Sequence, residues 1–129
     1  MNPITLHNAA EAVHPNGNAT YAALAAILKG QPLKLGTGGV TPTTAATDAA
    51  IGIALDDADA GDIVPVAILG CFTGTVLLRA AGEIDPGAQI AADGAETSGA
   101  TDAVIGRALD AAAAAGDLIN IAHQVAQVK

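Results

Sequence analysis

Large and small apolar residues alternate in the middle of the chain and predict a β-strand. Residues 51–55 read IGIAL, so isoleucine and leucine alternate with glycine and alanine. This is the period of a strand with two different faces. Because one face carries only small residues, we expect another strand or layer to approach closely at Gly52. A second apolar run, residues 63–69, follows a short polar segment and is expected to be the returning strand.

The same pattern occurs twice. Residues 47–69 read TDAAIGIALDDADAGDIVPVAIL, and residues 101–123 read TDAVIGRALDAAAAAGDLINIAH. The second copy is one residue longer, and the extra residue falls in its alanine run. The aspartate after each first strand is a good helix N-cap, and the later glycine favours a helix end. Each copy therefore predicts a strand, a short helical turn and a returning strand. Two copies are too few for a solenoid and indicate two similar β units in one domain.

Differences between the copies predict different exposure. Pro65 has no N–H for a ladder, so the returning strand of the first copy is expected either at an edge or with the position of the missing N–H directed outward. Asn120 stands at the matching place in the second copy, and Arg107 replaces Ile53. The second copy is therefore expected to be more solvent-facing.

The remaining chain divides into an arm and a body. Residues 1–20 are polar, rich in asparagine and aperiodic, which predicts an extended N-terminal arm; residues 21–129 form a single β-rich domain. The segment 21–28 fits a helix or short strands, and we favour strands. Glycine-rich and Pro-Gly turns are expected at 36–39 and 85–87. Further strands are expected at residues 33–35, 73–80 and 89–92, with residues 40–47 as a connection. Short strands with such turns predict an all-β fold, a small sandwich or barrel.

Composition indicates a thin core. Hydrophobic residues make up 51% of the 129 residues, but aromatic residues only 2%, namely Tyr21 and Phe72. Small aliphatic side chains must build the interior, so we expect oligomerisation to supplement it. The large apolar residues of the arm and its junction are expected to lie in an interface: Ile4, Leu6, Val13 and Tyr21.

The charge balance excludes several partners. The net charge is −8 with five Lys and Arg residues, and binding to nucleic acid or anionic membranes needs clustered cations. No apolar run is long enough to span a bilayer, and the first residues lack the regions of a signal peptide. The single cysteine, Cys71, allows no intrachain disulfide, so a reducing compartment is expected.

No residue pattern predicts catalysis, a cofactor or a metal. The carboxylates of residues 56–62 do not follow a calcium-loop spacing, and the second copy replaces most of them by alanine. The histidines, His7, His14 and His123, lack ligand spacing and are expected at a surface or interface. Cys71 is expected to be a buried small apolar residue, and Ser98 lacks a hydrolase frame. We therefore do not expect an enzyme.

Four motifs follow the polar arm in order: GQPLKLG at Gly30–Gly36, the first repeat at Ala49–Val66, GCFTGTVLL at Gly70–Leu78 and IDPGAQ at Ile84–Gln89. This order resembles the head decoration, or capsid cement, proteins of tailed bacteriophages. The resemblance implies a small β-rich protein, commonly a homotrimer, that is made in the host cytoplasm, binds the major capsid protein on the outer surface of the mature capsid and stabilises the virion. Its arm would reach the shell. The alternative is a small β-barrel carrier or ligand-binding domain without catalysis, although Lys29 and Lys34 lack the neighbours of a carrier lysine.

Overall fold

The structure, a computed structural model, describes residues 16–128 and builds them from β-strands joined by turns. The strands are β1 (Asn18–Ala22), β2 (Pro32–Gly36), β3 (Gly39–Pro42), β4 (Ala50–Ala54), β5 (Ile63–Ile68), β6 (Val76–Arg79), β7 (Gln89–Ala91), β8 (Ala103–Ala108) and β9 (Leu118–Val128). These residues contain no helix, and therefore none that could cross a membrane. The predicted all-β class is confirmed.

The strands form two antiparallel sheets. The first has the order β1-β5-β4-β2-β3, and the second has the order β6-β9-β8-β7. β1 begins at Asn18, so the last three residues of the predicted arm belong to the first sheet, and Ala19 is buried there. β3 occupies part of the predicted connection, because the turn at 37–38 folds it back on β2 as a hairpin.

The two sheets are copies of one unit. β1, β5, β4 and β2 correspond in order to β6, β9, β8 and β7, and the first sheet adds β3. The turn before β2 is pinned by Gly30, whose N–H donates to Ala54 O at 2.8 Å. The turn before β7 is pinned in the same way by Gly87, whose N–H donates to Ala108 O at 2.8 Å. The predicted pair of similar units is thus confirmed, and each repeat is longer than the sequence indicates.

The predicted helical turn between the paired strands is wrong. In each unit one alanine of this loop pairs with an isoleucine upstream of β2 or β7, Ala58 with Ile27 and Ala112 with Ile84. Both N–H groups of each pair donate across the bridge at 2.8–3.0 Å. The loop is therefore held by a bridge to another segment, and its own backbone closes only a tight turn, in which Asp62 N donates to Asp59 O at 3.0 Å and Asp117 N donates to Ala114 O at 3.3 Å.

The prediction of an edge position for Pro65 is also wrong. β5 lies between β1 and β4 and pairs with both. Pro65 is tolerated because it lies where β4 ends: its carbonyl accepts from Leu55 N at 2.9 Å, and only the reciprocal bond is missing. In the second unit, Asn120 O accepts from Leu109 N, also at 2.9 Å. The N–H of Asn120, which occupies the place of the missing N–H of Pro65, donates to the Asp110 carboxylate at 3.1 Å.

The two units pack front to back, that is, one face of the first sheet covers a core of its own and the opposite face packs against the core of the second sheet. In the first sheet, Ala54, Val64 and Val66 point into a core of their own. The alternate residues Ile53 and Ala67 point to the other face and join the core of the second sheet. Strand alternation therefore buries both faces of the first sheet. Arg107, the counterpart of Ile53, is exposed, which confirms that the second copy is more solvent-facing.

Candidate interaction surfaces

The loops that follow β4 and β8 are equivalent in the fold but opposite in character. The first, residues 55–62, carries the exposed carboxylates of Asp56, Asp57, Asp59 and Asp62. The second, residues 109–117, has four exposed alanines and is flanked by Leu109 and Leu118, which are 51% and 41% exposed. We name the first the acidic loop and the second the alanine loop. An exposed apolar segment of this kind is typical of a protein contact.

The cationic side chains of the described residues are largely engaged within the fold. Lys34 lies 3.2 Å from Asp48. Arg79 donates to the carbonyls of Lys29 and Gly116 at 2.9 and 3.3 Å, and Arg107 donates to a turn carbonyl at 2.7 Å. Among the described residues, these contacts leave no basic cluster that would attract phosphate groups, and they occupy Lys34, one of the two candidates for the lysine that a carrier function would need.

Asp48 and Asp102 hold the same turn in the two units. Asp48 accepts from the N–H groups of Thr44 and Ala45 at 2.8 and 3.0 Å. Asp102 accepts from two N–H groups in the same way, at 2.8 and 3.0 Å. The N–H groups of Thr44 and Ala45, and then Lys34, hold the pKa of the Asp48 carboxyl below its ordinary value. These two acids, which occur in both copies of the repeat, therefore have a structural role.

An apolar groove opens between the sheets, where β4 begins and where β5 and β9 approach their ends. Its volume is 370 Å³, and Ile51, Ile68 and Val125 line it together with neighbouring alanines, Leu69 and Cys71. Ile51 is the extra residue of a bulge between β2 and β4, since Lys34 pairs with Ala50 and Leu33 with Gly52. The bulge turns Ile51 out of the alternation that buries Ile53.

The chain enters the fold at the rim of this groove. Ile68 N donates to Gly17 O at 2.8 Å, and Thr73 N donates to Asn16 O at 3.1 Å. A side chain at Gly17 would overlap the backbone of Cys71, so the first described residues lie directly against the turn that lines the groove.

His123 fastens the same turn to β9. Its Nδ1 accepts from Gly70 N–H at 2.9 Å, and its Nε2 lies 3.0 Å from Gly74 O. Since a carbonyl can only accept, Nε2 carries the proton, and the ring is the neutral tautomer. The ring also lies 6.1 Å from the ring of Phe72. The histidine therefore has a structural role at a partly buried surface position.

The other candidate residues have mixed outcomes. Cys71 is exposed, so the expectation of a buried cysteine is wrong; the turn at 69–72 ends β5 before its side chain can enter the core. Tyr21 is half-buried against the core of the first sheet. The predicted interface residues Ile4, Leu6 and Val13, like His7 and His14, lie outside the described residues. Within residues 16–128, no group of three or more His, Cys, Asp or Glu side chains could hold a metal ion.

The groove and the alanine loop are the surfaces that the sequence does not reveal. The groove is assembled from three strands that are far apart in the chain, and its only local signal is the alternation around Ile51, which the bulge interrupts. The alanine run is visible in the sequence, but the exposure of the leucines that flank it is not.

Comparison with known proteins agrees with this double-sheet architecture. Residues 11–123 match the family model of the phage cement proteins, and the chain therefore belongs to that family. It is a structural protein of a phage capsid, in a family that is not one of enzymes. The N base of the head fiber protein gp8.5 of bacteriophage phi29 has a similar fold, with a TM-score of 0.62, 19% sequence identity, and coverage of 87% of this chain and 97% of that one. No curated protein matches the chain in sequence.

Proposed function

We propose that this protein binds the outer surface of a mature phage capsid, through the major capsid protein, and stabilises the shell as a cement. The observation that carries this proposal is the match to the phage cement family, which spans both sheets and the entry to β1. A cement protein needs a rigid body with exposed surface that can bind other proteins, rather than a reactive site. The two packed sheets and the exposed apolar groove and alanine loop are consistent with that requirement.

Of the two equivalent loops, the alanine loop is the better candidate for contact with the shell. Burying the carboxylates of the acidic loop would cost their hydration unless each found a partner. The alanine loop buries no charge at its centre, and Leu109 and Leu118 add apolar area. The charge of the acidic loop instead favours solubility of the particle.

Co-sedimentation with purified shells tests the proposal. The protein should pellet with expanded shells, bind unexpanded shells much less, and raise the temperature at which expanded shells break. Failure to bind either shell would overturn the proposal.

Two matched variants test the contact surface. Ala115→Asp places a charge in the alanine loop, whereas Ala60→Asp places it at the equivalent position of the acidic loop. We expect Ala115→Asp to weaken shell binding and Ala60→Asp to leave it unchanged. Equal binding by both variants would contradict the assignment of the alanine loop.

We also propose a homotrimer, since the core is made of small aliphatic residues. Light scattering coupled to size exclusion should give about three times the chain mass of 12.5 kDa. A monomer at micromolar concentration, both free and after release from shells, would contradict this.

The division into an arm and a body remains part of the proposal, with Ile4, Leu6, Val13 and Tyr21 as its interface residues. Deletion of residues 2–15 should keep β1 and therefore the fold, and should weaken attachment to the shell. Deletion through residue 20 is the informative comparison, because it also removes the start of β1 and its pairing with β5. A truncation at 15 that binds as tightly as the full chain would show that the arm is passive.

A further inference from the structure

The apolar groove exposes aliphatic surface that a folded chain normally covers. Val125 is 64% exposed, and Ile51 and Ile68 are only half-buried. The groove has room for more than one aliphatic side chain in its 370 Å³. Its lining is almost wholly apolar, so a matching occupant presents aliphatic side chains rather than charges or phosphate groups.

The start of the chain is placed to supply that occupant. Asn16 and Gly17 are hydrogen-bonded to the turn whose Cys71 lines the groove. Residues 1–15 therefore join the fold at the groove rim. Val13 is three residues from Asn16 and can reach about 10 Å, and Leu6 can reach roughly 33 Å.

The same segment has the side chains that the groove requires. Ile4 and Leu6 are two positions apart, so an extended backbone places them on one side, with Thr5 on the other. The segment has one acidic residue, Glu11, and no lysine or arginine. Its aliphatic residues therefore have no lysine or arginine beside them, although His7 follows Leu6 and His14 follows Val13, and the segment carries few charges that would oppose burial.

We propose that in the free protein the apolar groove is the seat of the chain's own N-terminal segment, residues 1–15. A tethered segment competes at an effective concentration in the millimolar range, well above that of an unassembled second copy at micromolar protein. Exchange of segments between protomers of the proposed trimer would instead give a bond between chains in the oxidation test below. The seat covers Ile4, Leu6 and Val13 before the protein meets a capsid. This inference goes beyond the proposed function and does not depend on it.

Cys71 provides the measurement, because it lies in the groove and is the only cysteine in the chain. The rate of its reaction with a dithiobis-nitrobenzoate reagent is measured for the folded full-length protein. Leu6→Asp should raise this rate about tenfold, which is equivalent to a loss of ~1.4 kcal/mol in the free energy with which the segment binds the groove. Thr5→Asp is the matched control, since it adds the same charge on the opposite side of an extended segment, and it should leave the rate unchanged. Circular dichroism confirms that both variants fold.

Equal reaction rates for the natural chain and Leu6→Asp, or equal acceleration by the two variants, would overturn the proposal. The choice of the chain's own segment is tested by oxidation of variants in which Ile4, Leu6 or Val13 is singly replaced by Cys. A bond to Cys71 within one chain, seen as a monomer on a denaturing non-reducing gel, supports it. A disulfide between two chains contradicts it, and so does the absence of a disulfide in all three variants. Neither experiment contains a capsid, so failure here is distinguishable from failure to bind shells.

Discussion

The close approach of β4 and β5 at Gly52 makes a quantitative prediction for Gly52→Ala. Gly52 is buried opposite Ile68. A Cβ atom added there would overlap the Val66 side chain and lie 2.6 Å from the carbonyl oxygen of Ala67. Val66 could rotate, but the carbonyl belongs to the backbone of β5. Relief therefore requires the two strands to separate.

Two opposing effects decide the size of the change. Overpacking of this kind costs about 1–3 kcal/mol. Replacing glycine by alanine also restricts the unfolded chain, which stabilises the protein by about 0.4–1 kcal/mol. We expect a net loss of roughly 1–2 kcal/mol, which for a chain of this size lowers the melting temperature by about 4–8 °C. The clash prevails because the partner is backbone and cannot rotate away.

Gly82→Ala is the matched control for this prediction. Gly82 has no atom within 4 Å of an added Cβ and no left-handed φ, so only the unfolded-state effect remains, and the melting temperature should be unchanged or slightly higher. Gly106→Ala, the equivalent of Gly52→Ala in the second unit, should destabilise, since its Cβ would lie 2.5 Å from Ala122 O. Melting is followed by circular dichroism at one protein concentration, because assembly shifts the midpoint. A melting temperature for Gly52→Ala equal to that of the natural chain would refute the close-approach argument.

Three further substitutions test individual hydrogen bonds. Asp48→Asn should lower the free energy of unfolding by about 1 kcal/mol at pH 7, because the amide lacks the charge that strengthens the bonds to Thr44 N, Ala45 N and Lys34. Because the folded pKa of Asp48 lies below its ordinary value of 3.8, this stabilisation is present above pH 3.8 and is lost as pH falls through the folded pKa. In urea titrations, the difference in free energy of unfolding between the natural chain and Asp48→Asn should therefore be smaller at pH 3 than at pH 7. The control Asp59→Asn should show no difference from the natural chain at either pH. Asn120→Pro should lower the free energy of unfolding by no more than about 1 kcal/mol, since the first unit has proline at this place. Ala122→Pro, two residues along the same ladder, should lower it by about 1–3 kcal/mol. Equal losses of stability for the two variants in thermal melts would contradict the equivalence of the units. His123→Ala should speed proteolysis of the turn that its ring holds, and an unchanged cleavage rate would show that the two ring hydrogen bonds contribute nothing.

The sequence reveals only the later half of each repeat, and the structure explains why. The later half contains the aspartate that accepts two N–H groups and the glycine at the close strand approach, and both require particular side chains. The earlier half is matched mainly by backbone hydrogen bonds and by an aliphatic residue at Ile27 and Ile84. Backbone bonds place little restriction on residue type, so the resemblance of these segments is lost in sequence but kept in the fold.

The order of the strands in the sheets could not be predicted from local sequence patterns. Pro65 suggests an edge because every residue of a central strand normally donates its N–H to one of the two neighbouring strands, and proline has no N–H. The strand is central because residues 18–22, which the sequence assigns mostly to the arm, add to its outer side. The groove was missed for a similar reason: it depends on which strands become neighbours, and on a bulge at Ile51 that only pairing with β2 defines.

The front-to-back packing of the units explains why one duplicated sequence has diverged so strongly. The outer face of the first sheet is covered by the second unit, so its position 53 needs an aliphatic side chain, and Ile53 is fully buried. Among residues 16–128, no third unit covers the same face of the second sheet, so position 107 can hold an arginine, which bonds to the carbonyl of Gly87. A repeat packed by a two-fold axis would bury the same face in both units and would keep both positions apolar. The exchange of Ile53 for Arg107 therefore ends the stack at two units and places a charged, exposed side chain on the uncovered face of the second sheet.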